Sequence, residues 1–316
     1  MTYLPQIKIL VPSAQVSSYT TGVLSLPSAK QPFTDPVRGL FAAGSSYVNI
    51  DYITIETTGN TTNFGNLSSA GGGIAATSST TRAIFAGGDR GGAVTTIDYV
   101  TVLSTGNSTN FGSLTTQRRQ CAGTGSNTRG LVAGGYNNSS GYLSSIDYVT
   151  IATTGNAINF GSMSNSGYNG AALASTTRAV FSGGDAGPAS NRIEYVTITT
   201  TGNATNFGNL TSVRTGNGAC SNNTRGLIAP GDDTSGPIDY ITIATTGNGT
   251  NFGSLTVAGR PEGCSNSTRG VFGTRAGTNV MDYVTIASTG NATDFGDCSS
   301  NTIGDPGTTS NGHGGL

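Results

Sequence analysis

Apolar residues come along this chain in short runs, separated by glycine, asparagine, serine and threonine. In IDYVTIA (146–152), Ile146 and Tyr148 fall on one side of an extended chain, and Val149 and Ile151 on the other. A half-exposed sheet alternates apolar and polar residues. Apolar residues on both sides therefore predict strands covered on both faces, in a sheet sandwiched between two similar sheets. The run is followed by TTGN, and elsewhere SNT separates runs. Both supply the Gly and Asn that tight turns use at positive φ.

The pattern recurs six times. Each unit carries an Arg opening a short apolar run: Arg38, Arg82, Arg129, Arg178, Arg225 and Arg269. Each carries an acid before Tyr: Asp51, Asp98, Asp147, Glu194, Asp239 and Asp282. Each carries a Phe-Gly pair, beginning at Phe64, Phe111, Phe160, Phe207, Phe252 and Phe295. From Phe64 to Phe295 is 231 residues over five steps, a period of about 46. The acid-to-Phe spacing is 13 in every unit, and Phe to the next Arg is 18, 18, 18, 18 and 17. Arg to acid varies from 13 to 18, so length variation is concentrated in one connection.

Each unit reads as four short strands, lettered a to d. In the third unit they lie near 119–125, at 129–134, at 146–152 and through Asn159-Phe160-Gly161. Four strands per unit, six units and a period near 46 predict a six-bladed β-propeller over residues 38–316. Counting 18 from Phe295 reaches His313, in the place of Arg129, so the chain ends on an extra strand a. Paired with the strand at Arg38, that strand closes the ring. Residues 1–37 stand outside the period and are expected to form an extended arm or anchor, with QIKILV (6–11) and TTGVLSLPS (20–28) as possible strands. Such an arm is too short for a core of its own.

Composition narrows the function. Charged residues are 10% of the chain and the net charge is −1, with only Lys8 and Lys30 as lysines, so nucleic acid is not an expected partner. The N-terminus lacks the pattern of a secretory signal, and no apolar stretch approaches the ~20 residues of a membrane-spanning helix, so membrane insertion is not expected. Cys121, Cys220, Cys264 and Cys298 have no zinc-ligand spacing and read as reduced core residues. No metal or cofactor is expected. The single histidine, His313, leaves no Ser-His-Asp arrangement and no set of copper ligands. Asp185 with Asp232 and Asp233 remains as a paired-carboxylate possibility for glycan hydrolysis.

An apolar strand ending in Gly-Gly, then a variable loop, an acid and Tyr, resembles the Kelch repeat. Gly87-Gly88, Gly134-Gly135 and Gly183-Gly184 match its doublet, with Phe standing where Kelch repeats have Trp. The doublet is Ala43-Gly44 in the first unit, Pro230-Gly231 in the fifth, and lost in the sixth. The wording DYVTIATTGNATNFG also resembles repeat-bearing structural proteins of marine bacteriophages, which implies location in a virion. The Kelch resemblance taken alone implies a cytoplasmic protein-binding module.

The Arg and acid series are expected to be structural rings on opposite rims: each Arg bonding carbonyls of a neighbouring TTGN turn, each acid capping loop backbone. The b–c and d–a connections vary, whereas the a–b and c–d turns are monotonous. Variation on a rigid scaffold marks the contact surface. The candidate contacts are Arg90, Arg118, Arg119, Tyr136, Asn137, Asn138, Tyr142, Asp185, Arg192, Asp232, Asp233 and Arg275. Tyr136, Asn137, Asn138 and Tyr142 form a carbohydrate-reading set of aromatic faces and amides. The expectation is a non-enzymatic virion structural or adhesion protein. Residues 1–37 would dock to other virion proteins, and the variable face would meet a host glycan or a neighbouring protein.

Overall fold

The apolar runs form strands, and neighbouring blades bury them from both sides. The computed structural model describes residues 36–44, 47–231, 236–257, 259–273, 278–298 and 305–316. The chain divides into two units, Met1–Pro36 and Val37–Leu316. Of the first, only Pro36 is among the described residues, so the expected arm lies outside them. The second is a six-bladed β-propeller.

Each blade is a four-stranded antiparallel sheet, with strands in the order a, b, c, d. Blade one comprises Gly307–Ser310, Arg38–Ala42, Asn49–Thr54 and Thr62–Asn66. Blade two comprises Ala75–Ser78, Arg82–Ala86, Val94–Thr101 and Thr109–Arg118. Blade three comprises Ala122–Gly125, Arg129–Ala133, Ser145–Thr150 and Ile158–Ser162. Blade four comprises Tyr168–Ala174, Arg178–Asp185, Ser190–Thr197 and Thr205–Arg214. Blade five comprises Ala219–Ser221, Arg225–Ile228, Ile238–Thr242 and Thr250–Gly253. Blade six comprises Glu262–Ser265, Arg269–Gly273, Val280–Thr285 and Thr293–Asp297. The a strands stand side by side round the axis. A small hairpin, Tyr136–Asn137 with Gly141–Tyr142, rises from the b–c loop of blade three.

The core is not one body but six clusters, each between consecutive blades. Leu131, Phe160, Phe181 and Val196 fill one of them, between blades three and four. Phe41, Ile53, Val271 and Phe295 fill the one that joins blade six to blade one. A blade alone would leave both of its apolar faces in water, so the repeat is stable only within the ring.

The Phe-Gly pair owes its place to an irregularity repeated in all six blades. The c–d register shifts at the acid: Ile146 faces Gly161, but Asp147 faces Asn159. Phe160 is the extra residue of a β-bulge, and its ring is buried. The glycine that follows lies under the c–d turn of the next blade. Gly155 N–H donates to Phe111 O at 2.8 Å, and a Cβ on Gly112 would collide with the Gly155 carbonyl. The same dock recurs round the ring and ends with Gly59 N–H on Phe295 O at 2.8 Å.

Closure uses both ends of the propeller unit. Gly307–Ser310 pairs antiparallel with Arg38–Ala42. The register corrects the position expected for His313. Gly39 faces Ser310 as Gly130 faces Gly125, so Asn311 takes the place of Ser126 and His313 that of Thr128. The Arg of this blade is Arg38, whose backbone N–H donates to Asn311 Oδ1 at 2.7 Å, as Arg225 N–H does to Asn222. His313 instead crosses the axis with Gly314 and Gly315. Its Nε2 meets Ser78 O at 3.1 Å, and its Nδ1 accepts from Gly315 N–H. A Cβ on Gly314 or Gly315 would strike backbone carbonyls of Ala174, Asn222 or Gly125, so the tail fills the end of the channel without side chains.

Candidate functional site

The sixfold residues tie blade to blade. Arg129 Nη1 donates to Ile198 O and Thr199 O of the next blade, at 3.0 and 2.9 Å. Arg82, Arg178, Arg225 and Arg269 make the corresponding pair of bonds, and Arg38 reaches Val102 O. Each guanidinium also lies over the Tyr of its own blade, 4.4 to 4.7 Å from the ring centroid. That Tyr meets the blade's Phe edge to face. The cation–ring stack orients the Arg toward its neighbour and adds roughly 0.5–1 kcal/mol per blade.

The acids act on the other rim and reach backward. Asp147 accepts from Thr115 N–H and Oγ1–H of the preceding blade, at 2.9 and 2.7 Å. Asp239 holds Thr211, Asp282 holds Thr256, Glu194 holds Ser164 and Asp98 holds Ser68. In each pair the held residue follows the Phe by four positions. Asp51 is buried and sits beside Asn49, whose Nδ2 donates to it at 3.2 Å.

The structure sorts the expected contact residues into two groups. Four of them are scaffold. Arg118 is fully buried, its guanidinium 3.3 Å from Asp147 and bonded to Gly134 O and Ser145 O. Arg90 is buried against Asp98 at 2.8 Å and against the hydroxyls of Ser68 and Ser69. Asn137 is buried and forms the hairpin turn, accepting Ser139 N–H and Ser140 N–H and donating to Gln117 O. Arg119, half-buried, is tied to Asp89 and lies over Tyr136 at 5.3 Å. A charge in a variable loop reads as a contact in sequence, but Arg90 and Arg118 neutralise acids that the fold itself buries. Asp232, Asp233 and Arg275 lie outside the described residues.

The remaining residues converge on the boundary of blades three and four. Tyr136 and Tyr142 face one another across the small hairpin, with ring centroids 5.5 Å apart. Tyr142 stacks on Tyr168 at 5.4 Å and an interplanar angle of 18°. Tyr168 begins strand a of blade four, and within SNSGYNG nothing in the sequence pattern singles it out. Its partnership spans about 30 residues of chain and has no local signature. Asn138 is exposed, with its amide toward Gly92 of the blade-two b–c loop.

Tyr168 also walls a cleft of about 330 Å³. Ala133, Met163, Ala171 and Phe181 make its apolar floor, and Asn165, Asp185, Arg192 and Glu194 its polar rim. Glu194 is already engaged: its oxygens accept from the Ser164 N–H and hydroxyl, and it pairs with Arg192 at 3.4 Å. Asp185 accepts Gly187 N–H at 2.7 Å. Burial, then the nearby charges of Asp185 and Tyr142, raise the Tyr168 phenol, so its hydroxyl stays a donor. The backbone is set by left-handed residues: Asn169 (φ 56°), Gly183 (φ 67°) and Gly184 (φ 88°).

A collar surrounds the mouth of the central channel on the same face. Gly73 N–H bonds Asp305 O, Gln120 N–H bonds Gly73 O, Asn169 N–H bonds Gln120 O and Gly216 N–H bonds Asn169 O, at 2.7 to 3.0 Å. All five residues have φ between 50° and 65°. Glu262 lies inside this mouth, where burial, and then the charge of Asp305, push its carboxyl well above the usual range. The four cysteines are buried. Burial raises the thiols of Cys121, Cys220 and Cys264, which makes them poor nucleophiles. Among the described residues no group of three or more His, Cys, Asp or Glu side chains is placed to hold a metal.

The class of protein is therefore a six-bladed β-propeller with a tyrosine-walled cleft on its variable face. No protein-family model and no curated protein sequence matches the chain.

Proposed function

We propose that this chain is a non-enzymatic adhesion and structural module of a phage particle, its propeller of Kelch-like type. Residues 1–37 dock to other virion proteins, and the variable face meets a host surface glycan. The observation that carries the reading is the cleft between blades three and four. It is the place where the variable loops combine exposed aromatic rings, amides and an open volume on a rigid frame. The wording of the repeat supports the virion setting. The glycine doublets, both at positive φ in three blades, support the Kelch-like type.

Hydrolysis is the weaker reading because a paired-carboxylate mechanism needs two available carboxyl groups. Among the described residues of the cleft, Glu194 is engaged by Ser164 and Arg192 and is not available as a second carboxyl beside Asp185. The test is binding of labelled protein, full length and 38–316, to host cells and to particles. Binding of 38–316 to cells supports the adhesion role. Binding of neither form to either target overturns it, and cleavage of host polysaccharide by the purified chain overturns the non-enzymatic part.

A further inference from the structure

We propose that the cleft between blades three and four binds an uncharged pyranoside of one or two rings, with Tyr168 as its platform and Asp185 as its hydroxyl acceptor. This deepens the adhesion reading and rests on it for its biological setting, but not for its chemistry.

Three features select this ligand. The first is size: about 330 Å³ lies at the small end of ligand sites, suited to one or two sugar rings. The second is the division of the lining. A pyranose has an apolar C–H face and a rim of hydroxyls. The cleft supplies both chemistries: Tyr168, Met163 and Phe181 offer apolar surface, and Asn165 and Asp185, the latter paired across the strands with Tyr168, offer polar groups. Tyr168 is braced by Tyr142, itself packed edge-on against Tyr136, so the platform is ordered before a ligand arrives.

The third feature is charge. Arg192 and Glu194 neutralise one another, and both are bound to Ser164. Among the described residues that line the cleft, Asp185 is then the charge without an opposite partner, while the nearby guanidinium groups of Arg119 and Arg260 are paired with Asp89 and Asp305. A carboxylate accepts two sugar hydroxyls well but repels a second carboxylate. Uronic and sialic acids are therefore disfavoured, and neutral hexoses or N-acetylhexosamines are admitted. Gly183 and Gly184 adopt left-handed conformations open to glycine, and Asn169 joins them at φ 56°, so the backbone that carries these groups is set by the fold.

The experiment is calorimetric titration of the full chain with the methyl glycosides of glucose, galactose, mannose and N-acetylglucosamine, and with glucuronate and galacturonate. The expected result is a neutral glycoside binding with a dissociation constant on the order of 1 mM, and its uronate binding at least tenfold more weakly. Asp185→Asn should narrow that difference, and Tyr168→Ala should abolish binding. Tyr168→Phe, which preserves the platform, should retain most of it and guards against a variant that fails to fold. Binding of none of the neutral glycosides overturns the proposal. So does tighter binding of a uronate, or unchanged binding by a folded Tyr168→Ala. If that folded variant still attaches to cells as wild type does, adhesion stands and this site falls. If glycosides bind but wild-type protein ignores cells, the site stands and adhesion falls.

Discussion

Two glycines of one interblade contact illustrate how residue identity is set by what lies opposite. Gly112 and Gly155 both belong to repeated phrases, FG and TTGN. A Cβ on Gly112 would lie inside the carbonyl of Gly155, whereas a Cβ on Gly155 meets nothing within 4 Å. Gly112→Ala should cost more than about 2 kcal/mol, because the turn of blade three must lift off blade two. Gly155→Ala should stay within about 0.5 kcal/mol, since the new methyl points into water. Chemical denaturation of the two variants separates them. Ala43 holds φ 49° where blades two, three and four have the first glycine of the doublet. Neither distinction is legible in the sequence, where all these glycines sit in equally regular repeats.

At the scale of the strand, length and charge vary together. Strand d runs ten residues in blades two and four, and each ends in a buried Arg: Arg118 facing Asp147, and Arg214 facing Asp239. The acids of blades two and four are served instead by an Arg of their own blade, Arg90 from the b–c loop or Arg192 from the start of strand c. Blades two to five thus repeat as pairs, a period the single-blade alignment conceals. Adjacent arginines test the distinction. Arg118→Met should cost about 3–5 kcal/mol, because it leaves Asp147 buried without its partner. Arg119→Ala should cost less than about 1 kcal/mol, because its partner Asp89 is well exposed. Thermal melts of both variants decide it, and equal losses would contradict the assignment.

For the whole molecule, closure is a matter of a few residues at the axis. His313 uses both ring nitrogens in neutral form, and burial depresses it to about 4 against an ordinary 6.5. A base depressed in the folded state favours folding in its neutral form. Its contribution is complete above pH 6.5 and is lost as pH falls from 6.5 toward 4, where the unfolded chain takes up the proton first. His313→Gln retains a donor for Ser78 O and does not titrate. Melting temperature should therefore fall less between pH 6.5 and 4 in the variant than in wild type. An identical fall in the two proteins would show that the His313 imidazole is not held neutral by its place in the tail.

The sequence by itself determined the blade count, the four strands, the ring closed by a terminal strand and the rim to which each repeated residue belongs. These follow from periodicity, and every copy of a repeat must meet the same neighbours. Tertiary structure alone decided which variable residues are free. Arg90, Arg118 and Asn137 read as surface chemistry until the acids and turns that consume them were in place. Tyr168 gained its meaning from rings brought to it across a blade boundary. A repeated contact is written in every copy and can be read from the chain. A contact made once, between residues far apart in sequence, leaves no pattern and exists only in space.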